Sequence, residues 1–305
     1  MSKQQANYQK RFAVMHNPAV KAEIAALDPV RDCQRIVQLL VQYEFAWDIT
    51  RSLEIALFYT YGSASVSRLL DRTGEFAKHG QKRYDDTRLL IAHFMDSGWD
   101  GPVGSAALAR MNKTHAHYTI ANDDFLFVLW TFIDFPIRWS KQFGPRAFTS
   151  HEQLAWFNFW CEIGRRMGLT SLPVNKADFD QWVNNYCVQH FVYTEANKRV
   201  ADATLAILQG WVPATMRGMV GPVVYSFFAD DPRFLAAIGA KAPNAVISKT
   251  VLSSLKTLNV IRRQIALGAY PFKVDDAINR TYPNDQYEIG NLKPVHLEKV
   301  ENRES

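Results

Sequence analysis

The sequence contains few cysteines, and their spacing gives them no joint role. Three occur in 305 residues, at Cys33, Cys161 and Cys187, and no C-x-x-C pair is present. An odd number of widely separated cysteines argues against a disulfide framework and against a zinc site. The opening residues, Met1 to Asn7, also lack the apolar core of a signal peptide. We therefore expect reduced thiols and a cytoplasmic location.

Long apolar runs and blocks of like charge are missing too. The longest strongly apolar run, 125–133, covers nine residues, far fewer than the roughly 18 to 20 that cross a bilayer. No transmembrane segment is expected, although peripheral contact with a membrane surface stays open. The formal net charge of +5 comes from scattered cations with acidic residues between them. This distribution argues against a nucleic-acid partner.

The sequence is rich in apolar residues that recur with a helical period. Apolar residues make up 48% of the chain and aromatic residues 13%, which is enough for a sizeable core. No linker divides the chain, and no alternating strand pattern competes with the helical period. We predict an all-α protein, a single globular domain of about a dozen helices. Its parts are a polar N-terminal arm (1–17), the helical domain (18–270) and a polar surface tail (271–305).

Caps and helix-breaking residues indicate where helices begin and end. Asn122 is the expected N-cap of an apolar helix that ends or kinks at Pro136, and Ser150 begins a predicted capping box. Gly74 and Gly80 bracket a short connection in which His79 is expected in a loop. Further helices are predicted over 18–27, 31–43, 45–60, 63–72, 154–167, 175–190, 195–209, 213–228 and 248–267, with a short helix between 232 and 243.

The stretch from Arg110 to Tyr118 carries the first candidate functional residue, His115. At about 100° per residue, His115 shares one side of a helix with Met111 and Tyr118. An imidazole thus stands inside an apolar stripe. A histidine in this position often only hydrogen-bonds a backbone carbonyl. The alternative is ligation, since a helix usually presents an axial nitrogen to haem iron as a neutral imidazole in an apolar pocket.

A second candidate lies upstream, at Arg83 and Thr87. On a helix these two residues share a face with Ile91, so a cation and a hydroxyl begin an apolar stripe. Arg88 is expected off that face. Arg83 either extends past the end of the stripe to solvent or enters a buried polar pocket. In such a pocket, Arg83 and Thr87 would meet an anion such as a haem propionate, or steer a bound oxygen species.

Other site motifs are incomplete. His115 and His117 would diverge by about 160° on a helix, so they do not form a joint metal site. His151-Glu152 begins like a zincin motif, but Ala155 stands where the second histidine belongs. The sequence has no G-x-S-x-G elbow and no G-x-G-x-x-G fingerprint. Hydrolase and dehydrogenase interpretations therefore have no support.

Several stretches taken together carry a resemblance to a known family. They are Tyr61-Gly62 with Arg68-Leu69-Leu70, Thr73-Gly74-Glu75-Phe76, Lys82-Arg83-Tyr84-Asp85-Asp86-Thr87, Arg110-Met111-Asn112 through His115, Ile120-Ala121-Asn122-Asp123-Asp124 and Pro136-Ile137-Arg138-Trp139. Their order and spacing resemble the catalytic domain of the MpaB and latex-clearing (rubber) oxygenases, over roughly residues 45–270. The resemblance implies an all-helical fold that binds b-type haem and cleaves carbon–carbon double bonds of isoprenoid chains with O₂.

The resemblance also implies roles for individual residues. His115 matches the proximal haem ligand and is therefore the implied metal ligand. Arg83 and Thr87 match the arginine and threonine of the haem pocket, and they are the implied catalytic residues. Met111, one helical turn before the histidine, completes the predicted cofactor-binding set.

The chain also departs from the rubber oxygenases. They have a lysine that reaches the iron from the distal side, where this chain has Asp86. They also have arginines at the positions of Asn112 and Thr119. These departures favour the MpaB-like branch and make polyisoprene a poor candidate substrate.

The leading interpretation is a cytoplasmic, haem b-dependent oxygenase with an apolar small-molecule substrate and O₂ as its partners. One alternative is a non-catalytic helical protein that binds a lipid or an isoprenoid in the same pocket. Another is a haem-binding protein for storage or sensing. The sequence does not indicate the number of subunits.

Overall fold

A computed structural model describes residues 18–264, 271–274, 278–283 and 286–298, so the predicted arm 1–17 lies outside the described residues. Within these ranges the regular structure is helical, without strands, which confirms the all-α prediction. The α-helices are α1 (Pro18–Ala26), α2 (Cys33–Leu39), α3 (Ala46–Tyr59), α4 (Ala64–Thr73), α5 (Glu75–Ser97), α6 (Pro102–His115), α7 (Asn122–Gln142), α8 (Ser150–Arg166), α9 (Lys176–His190), α10 (Glu195–Gly210), α11 (Arg217–Ser226), α12 (Pro232–Ala237) and α13 (Ala245–Gln264).

Most helices occur within a few residues of their predicted bounds. Two depart from the prediction in another way, one in its type of helix and one in its start and end. The helix predicted over 31–43 is α-helical only as α2 and continues as a π-helical turn, Leu40–Glu44. α7 neither ends at Pro136 nor begins with a side-chain cap from Asn122. The Asn122 side chain instead accepts from the Thr170 backbone N–H at 2.9 Å. The end of the last long helix, predicted at 267, lies outside the described residues.

The capping box of α8 is displaced by one residue from its predicted position. Thr149, not Ser150, is the N-cap, and its side chain accepts from the Glu152 backbone N–H at 3.2 Å. Glu152 returns the interaction by accepting from the Thr149 backbone N–H at 2.8 Å. The reciprocal pattern needs a Glu or Gln three residues after the cap, and both Thr149–Glu152 and Ser150–Gln153 satisfy that spacing. The sequence pattern alone therefore could not choose between them.

The connection predicted between Gly74 and Gly80 is part of α5. His79 is the one residue of α5 with non-helical dihedral angles, φ −135° and ψ 33°, so it forms a kink and the loop prediction is wrong. A Cβ atom at Gly80 would lie 2.7 Å from Cδ1 of Ile207 on α10. Gly80 therefore permits close packing of α5 on α10, and it does not mark a loop as the sequence suggested.

Aromatic packing fixes the end of α3 against the second half of the chain. The Tyr59 ring lies 4.8 Å from the Phe234 ring and stacks on Phe228 with 5.9 Å between centroids. Its hydroxyl donates to Asp231 at 2.8 Å, and Asp231 also caps α12 through the Phe234 backbone N–H at 2.9 Å. A buried tyrosine thus contributes apolar area and keeps its polar end paired.

Helices α5 and α6 approach each other closely at Gly104. A Cβ atom at this position would lie 2.0 Å from the carbonyl oxygen of Gly98 and 3.2 Å from the Cα atom of Phe94. Pro102 occupies the first turn of α6, where its missing N–H has no helical acceptor to lose. The close approach brings the carboxyl-terminal half of α5 against α6. It therefore sets the position of His115 relative to α5.

The polar tail predicted from 271 onward is, in its described residues, partly buried. Leu292 and Leu297 are core residues. Thr281 donates its hydroxyl to Asp85, and Tyr282 donates its hydroxyl to Asp86, both at 2.5 Å. The expectation of a surface tail is thus wrong for these residues. Their polar side chains serve to reach two buried carboxylates of α5, which composition does not reveal.

No helix in the described ranges combines the length and the apolar composition that crossing a membrane requires.

Asp48 and Arg262 form a buried ion pair that ties α3 to α13. Two Arg262 N–H groups donate to the two Asp48 oxygens at 3.0 and 2.6 Å, and Trp139 donates to the same carboxylate at 3.0 Å. Asp48→Ala leaves the guanidinium buried without its carboxylate, so we expect a loss of about 3 to 5 kcal/mol in unfolding free energy. Asp71→Ala, which removes the exposed pair with Arg199, should cost less than about 1 kcal/mol. Urea unfolding measures both, and equal losses would contradict the assignment.

Candidate active site

A cavity of about 490 Å³ lies between α3, α5, α6 and α7. This volume falls within the roughly 300 to 1,000 Å³ typical of small-molecule sites. Its lining is mostly apolar and includes Phe58, Phe94, Phe125, Phe132 and Trp160. All four predicted site residues line it as well: Arg83, Thr87, Met111 and His115. The fold therefore brings together, from α5 and α6, the residues that the sequence nominated separately.

His115 is the last residue of α6, and its ring faces this cavity. The helix ends three residues earlier than the predicted stripe to Tyr118, although a turn from Tyr118 N–H to the His115 carbonyl (3.0 Å) keeps Tyr118 at the cavity wall. The ring packs edge-on against Phe125, with 5.2 Å between centroids. Its Nδ1 is buried and has no hydrogen-bond partner among the described residues.

The alternative in which His115 only satisfies a backbone carbonyl is therefore not what the described structure contains. Neither ring nitrogen has a hydrogen-bond partner there. Nε2, unlike Nδ1, is not buried, so it is the nitrogen accessible from the cavity. An unpaired buried polar atom costs on the order of 1 to 3 kcal/mol. A ring held at this cost, with one nitrogen accessible, suits a ligand that the protein atoms alone do not supply.

The electrostatic surroundings keep His115 neutral. Burial lowers the pKa of His115 from 6.5 to about 4, because the cavity penalises the charged imidazolium, and the nearby positive charge of Arg83 lowers it further. Although the ring lines a cavity and is partly accessible, it lies deep in the protein. The effect of burial on its pKa is therefore larger than the effect of its accessibility. At neutral pH one nitrogen therefore carries a free lone pair, which ligation of a metal requires.

Arg83 and Thr87 form a linked pair one helical turn apart on α5. The guanidinium of Arg83 donates to the Thr87 hydroxyl, which in turn donates to the Arg83 carbonyl at 2.9 Å. Arg83 has no ion pair among the described residues. A guanidinium that lines a cavity without a carboxylate partner can accept an anionic group of a ligand. Geometry thus favours the pocket position over an arginine that extends to solvent.

Asp86, which stands in place of the rubber oxygenases' lysine, faces away from the cavity. It is buried, accepts from Lys82 at 2.8 Å and receives the hydroxyl of Tyr282. Burial raises the pKa of Asp86 despite these two partners. No lysine occurs among the described residues that line the cavity.

The described side chains also contain no cluster of three or more His, Cys, Asp or Glu residues suited to a metal ion.

Sequence reasoning missed a second polar group in the cavity wall: Arg51 and Glu54 from α3, and Tyr84 and Arg88 from α5. Arg88 lies off the face of Arg83 and Thr87, as expected, but the cavity extends around two faces of α5 and Arg88 lines it as well. The available signal was helical spacing. Arg51 and Glu54 are three residues apart and Tyr84 and Arg88 four apart, so each pair shares a face.

Fold and site together define an all-α protein with an apolar internal cavity that contains one unpaired histidine. Residues 61–243 match the family described as ER-bound oxygenase mpaB/B'/Rubber oxygenase, catalytic domain. The chain belongs to this family, so the predicted membership is confirmed. Arg83, Thr87, Met111 and His115 all lie inside the matched range, whereas Arg51 and Glu54 precede it.

Three relatives support this membership. The chain is 29% identical over 245 residues to the ER-bound oxygenase mpaB' of Penicillium brevicompactum. This match covers 74% of this chain and 57% of the relative. It is 30% identical over 208 residues to the ER-bound oxygenase mpaB of Penicillium roqueforti (strain FM164), covering 62% and 70%. The mpaB of P. brevicompactum is 30% identical over 187 residues, covering 55% and 48%. The match thus spans between 48% and 70% of the relatives' lengths.

The lowered pKa of His115 predicts a specific pH dependence of stability. The unfolded chain binds a proton near pH 6.5 and the folded chain only near pH 4, so stability falls as the pH drops through this window. Between pH 7 and pH 5 this residue should account for a loss of about 2 kcal/mol in unfolding free energy. Urea unfolding of His115→Phe should lack this part of the pH dependence.

His117→Phe is the matched control, because His117 is exposed. It should keep the pH dependence of the unsubstituted protein. An identical pH dependence in His115→Phe and in the unsubstituted protein would mean that His115 titrates normally in the folded state.

Proposed function

We propose that this protein is a haem b-dependent oxygenase that uses O₂ to oxidise, or to cleave a carbon–carbon double bond of, an apolar, isoprenoid-like substrate. The observation that carries the proposal is the neutral, unpaired His115 with its accessible Nε2 in an apolar cavity. Membership of an oxygenase family supports the reaction class. Because the match covers only part of the relatives, the activity itself is part of the proposal.

The residues of the cavity fit a haem group. His115 Nε2 is a single neutral nitrogen of the kind that ligates haem iron, and Met111 on the preceding turn of α6 contributes an apolar wall. Arg83, without an ion pair, is available to a propionate or to developing negative charge. Haem, when bound, supplies the redox-active iron that O₂ chemistry requires.

The chain's own groups have three tasks in this function. His115 holds the cofactor through Nε2 and stays unprotonated because the cavity excludes bulk water. Thr87 fixes the Arg83 guanidinium through their hydrogen bond, which reduces the freedom that the arginine would lose on ligand binding. The aromatic and aliphatic walls bind the apolar substrate and exclude water, which prevents side reactions.

A second function remains in competition: a helical protein that binds a lipid or isoprenoid without chemistry. The apolar lining would suffice for it. Location is a further proposal. We propose the cytoplasm as the compartment; the relatives are named ER-bound.

The haem proposal is tested by replacing histidines one at a time. Protein produced with adequate haem should show a Soret band, and His115→Ala should remain folded but lose stoichiometric haem because no other described residue of the cavity offers an imidazole. His117→Ala and His93→Ala are the controls and should retain haem. Absorption spectra and circular dichroism measure both properties. Normal haem content in His115→Ala would remove the ligand assignment, and well-folded unsubstituted protein without a Soret band would favour the lipid-binding alternative.

The role of Arg83 is tested by Arg83→Ala. If the guanidinium pairs with a ligand anion in the apolar cavity, its loss should cost about 2 to 4 kcal/mol, which is roughly a 30-fold or larger decrease in haem affinity or turnover. Arg165→Ala is the control, since Arg165 forms only an exposed pair with Glu162 on α8. Haem titration measures affinity without needing a substrate. Equal and small effects in both variants would show that Arg83 contributes nothing to the site.

A further inference from the structure

The second polar group of the cavity is a cluster formed by Arg51, Glu54, Tyr84 and Arg88. The Nη2 atom of Arg51 lies 2.7 Å from Oε1 of Glu54, and the Tyr84 hydroxyl donates to the same oxygen. The charge of Arg88 acts on both Glu54 and Tyr84. All four side chains line the same cavity as His115. The cluster therefore belongs to the ligand-binding space and is not an ordinary surface ion pair.

Arg88 is the member whose bonding is incomplete. Its Nε and Nη2 are buried without a hydrogen-bond partner, and it has no ion pair among the described residues. Its remaining nitrogen, Nη1, is not buried and is therefore the one accessible to a ligand. Arg51 also has a buried, unpaired Nε. Three buried donors on two guanidinium groups thus lack acceptors that the described protein could provide.

The charges of the cluster do not balance. Two guanidinium groups face one carboxylate, so the cluster carries at least one unmatched positive charge. Burial raises the pKa of Glu54, opposed by Arg51, by the Tyr84 hydroxyl and by Arg88. Protonation of Glu54 would increase the imbalance. In a mostly apolar cavity, an uncompensated cation is unfavourable unless a ligand brings the opposite charge.

The cluster is spatially distinct from the pair formed by Arg83 and Thr87. At 100° per residue, Arg88 lies about 140° around α5 from Arg83. The cavity therefore has two cationic positions on different faces of one helix. The α3 half of the cluster also lies outside the range that matches the family.

We propose that Arg51 and Arg88 form an anion subsite that binds the carboxylate end of an amphipathic substrate whose apolar chain fills the cavity. The proposal rests on the proposed function, because it assigns a substrate class to the same cavity. Arginine suits this task because its guanidinium binds a carboxylate through charge-assisted hydrogen bonds of fixed direction. Glu54 occupies part of the subsite and competes with the ligand for Arg51.

The test compares two ligands of equal chain length, dodecanoate and dodecan-1-ol, by isothermal titration calorimetry on the full chain without added haem. The unsubstituted protein should bind dodecanoate about tenfold or more tightly than dodecan-1-ol. Arg88→Gln, which keeps a polar side chain and removes the charge, should reduce this preference to less than about threefold. Glu54→Gln removes the competing carboxylate and should instead strengthen dodecanoate binding, by about threefold, without strengthening that of the alcohol.

The control is Arg165→Gln, at an exposed arginine of α8, which should leave both affinities unchanged. Opposite effects of the two cluster variants distinguish a subsite from a general loss of structure, which would weaken both ligands in both variants. Failure of the unsubstituted protein to bind either ligand, or a carboxylate preference that persists in Arg88→Gln, overturns the proposal. The measurement needs neither haem nor turnover, so it stands or falls separately from the proposed oxygenase activity.

A haem propionate is the other source of a carboxylate in this cavity. Haem and its dimethyl ester, titrated into the unsubstituted protein and into Arg88→Gln, separate the two sources. Under the proposal, Arg88→Gln changes the affinities for haem and its diester equally. A loss of about tenfold for haem alone would overturn the substrate assignment and would place the cofactor's propionate at Arg88.

Discussion

The constraint on which the site depends is that a helical core must stay open around about 490 Å³ of unfilled space. Protein interiors are close-packed, and lining atoms beside a void lose dispersion contacts. The surrounding packing therefore has to resist collapse. Aromatic contacts such as those of Tyr59, and the close helix contacts at Gly80 and Gly104, fix the positions of the helices around the space. An open volume kept in this way is most simply understood as space for a ligand.

α5 connects the parts of the site, because three of its faces have different roles. One face presents Arg83 and Thr87 to the cavity, and the neighbouring face presents Arg88. Asp85 and Asp86 point the other way and hold the segment around Thr281 and Tyr282. Residues 292 and 294, further along the same C-terminal region, form part of the cavity wall. The acidic pair thus connects the closure of the cavity to the helix that carries its cations.

The sequence predicted helix positions well, because they depend on local periodicity, and the site residues that it nominated line one cavity. His115, Met111, Arg83 and Thr87 share helix faces with apolar neighbours, and the family resemblance named the same positions. Their roles stay predictions, since the geometry shows their meeting in one cavity and not their chemistry. Cap positions were displaced where two residues satisfied the same rule, as Thr149 and Ser150 do.

What the sequence could not supply was the pairing of faces from distant helices. Glu54 and Tyr84 are thirty residues apart, and nothing in either helix indicates that they share a hydrogen bond. The place of Arg88 in the cavity wall was missed because a helical wheel assumes one inward face, whereas two faces of α5 border the cavity. The tail after 271 was misjudged because its polar residues bind buried carboxylates, so polarity there did not mean exposure.

The placement of Arg83 links the two properties that the proposed cofactor would need. A cation beside an imidazole disfavours the imidazolium, so the same charge that helps to lower the pKa of His115 also keeps a lone pair available on its ring. That charge has no carboxylate partner among the described residues, so it stays available to an anionic ligand group. Pairing Arg83 with an acidic side chain would have weakened both effects together. The absence of such a partner in the described chain is therefore what allows a single arginine to serve the ligand nitrogen and an incoming anion.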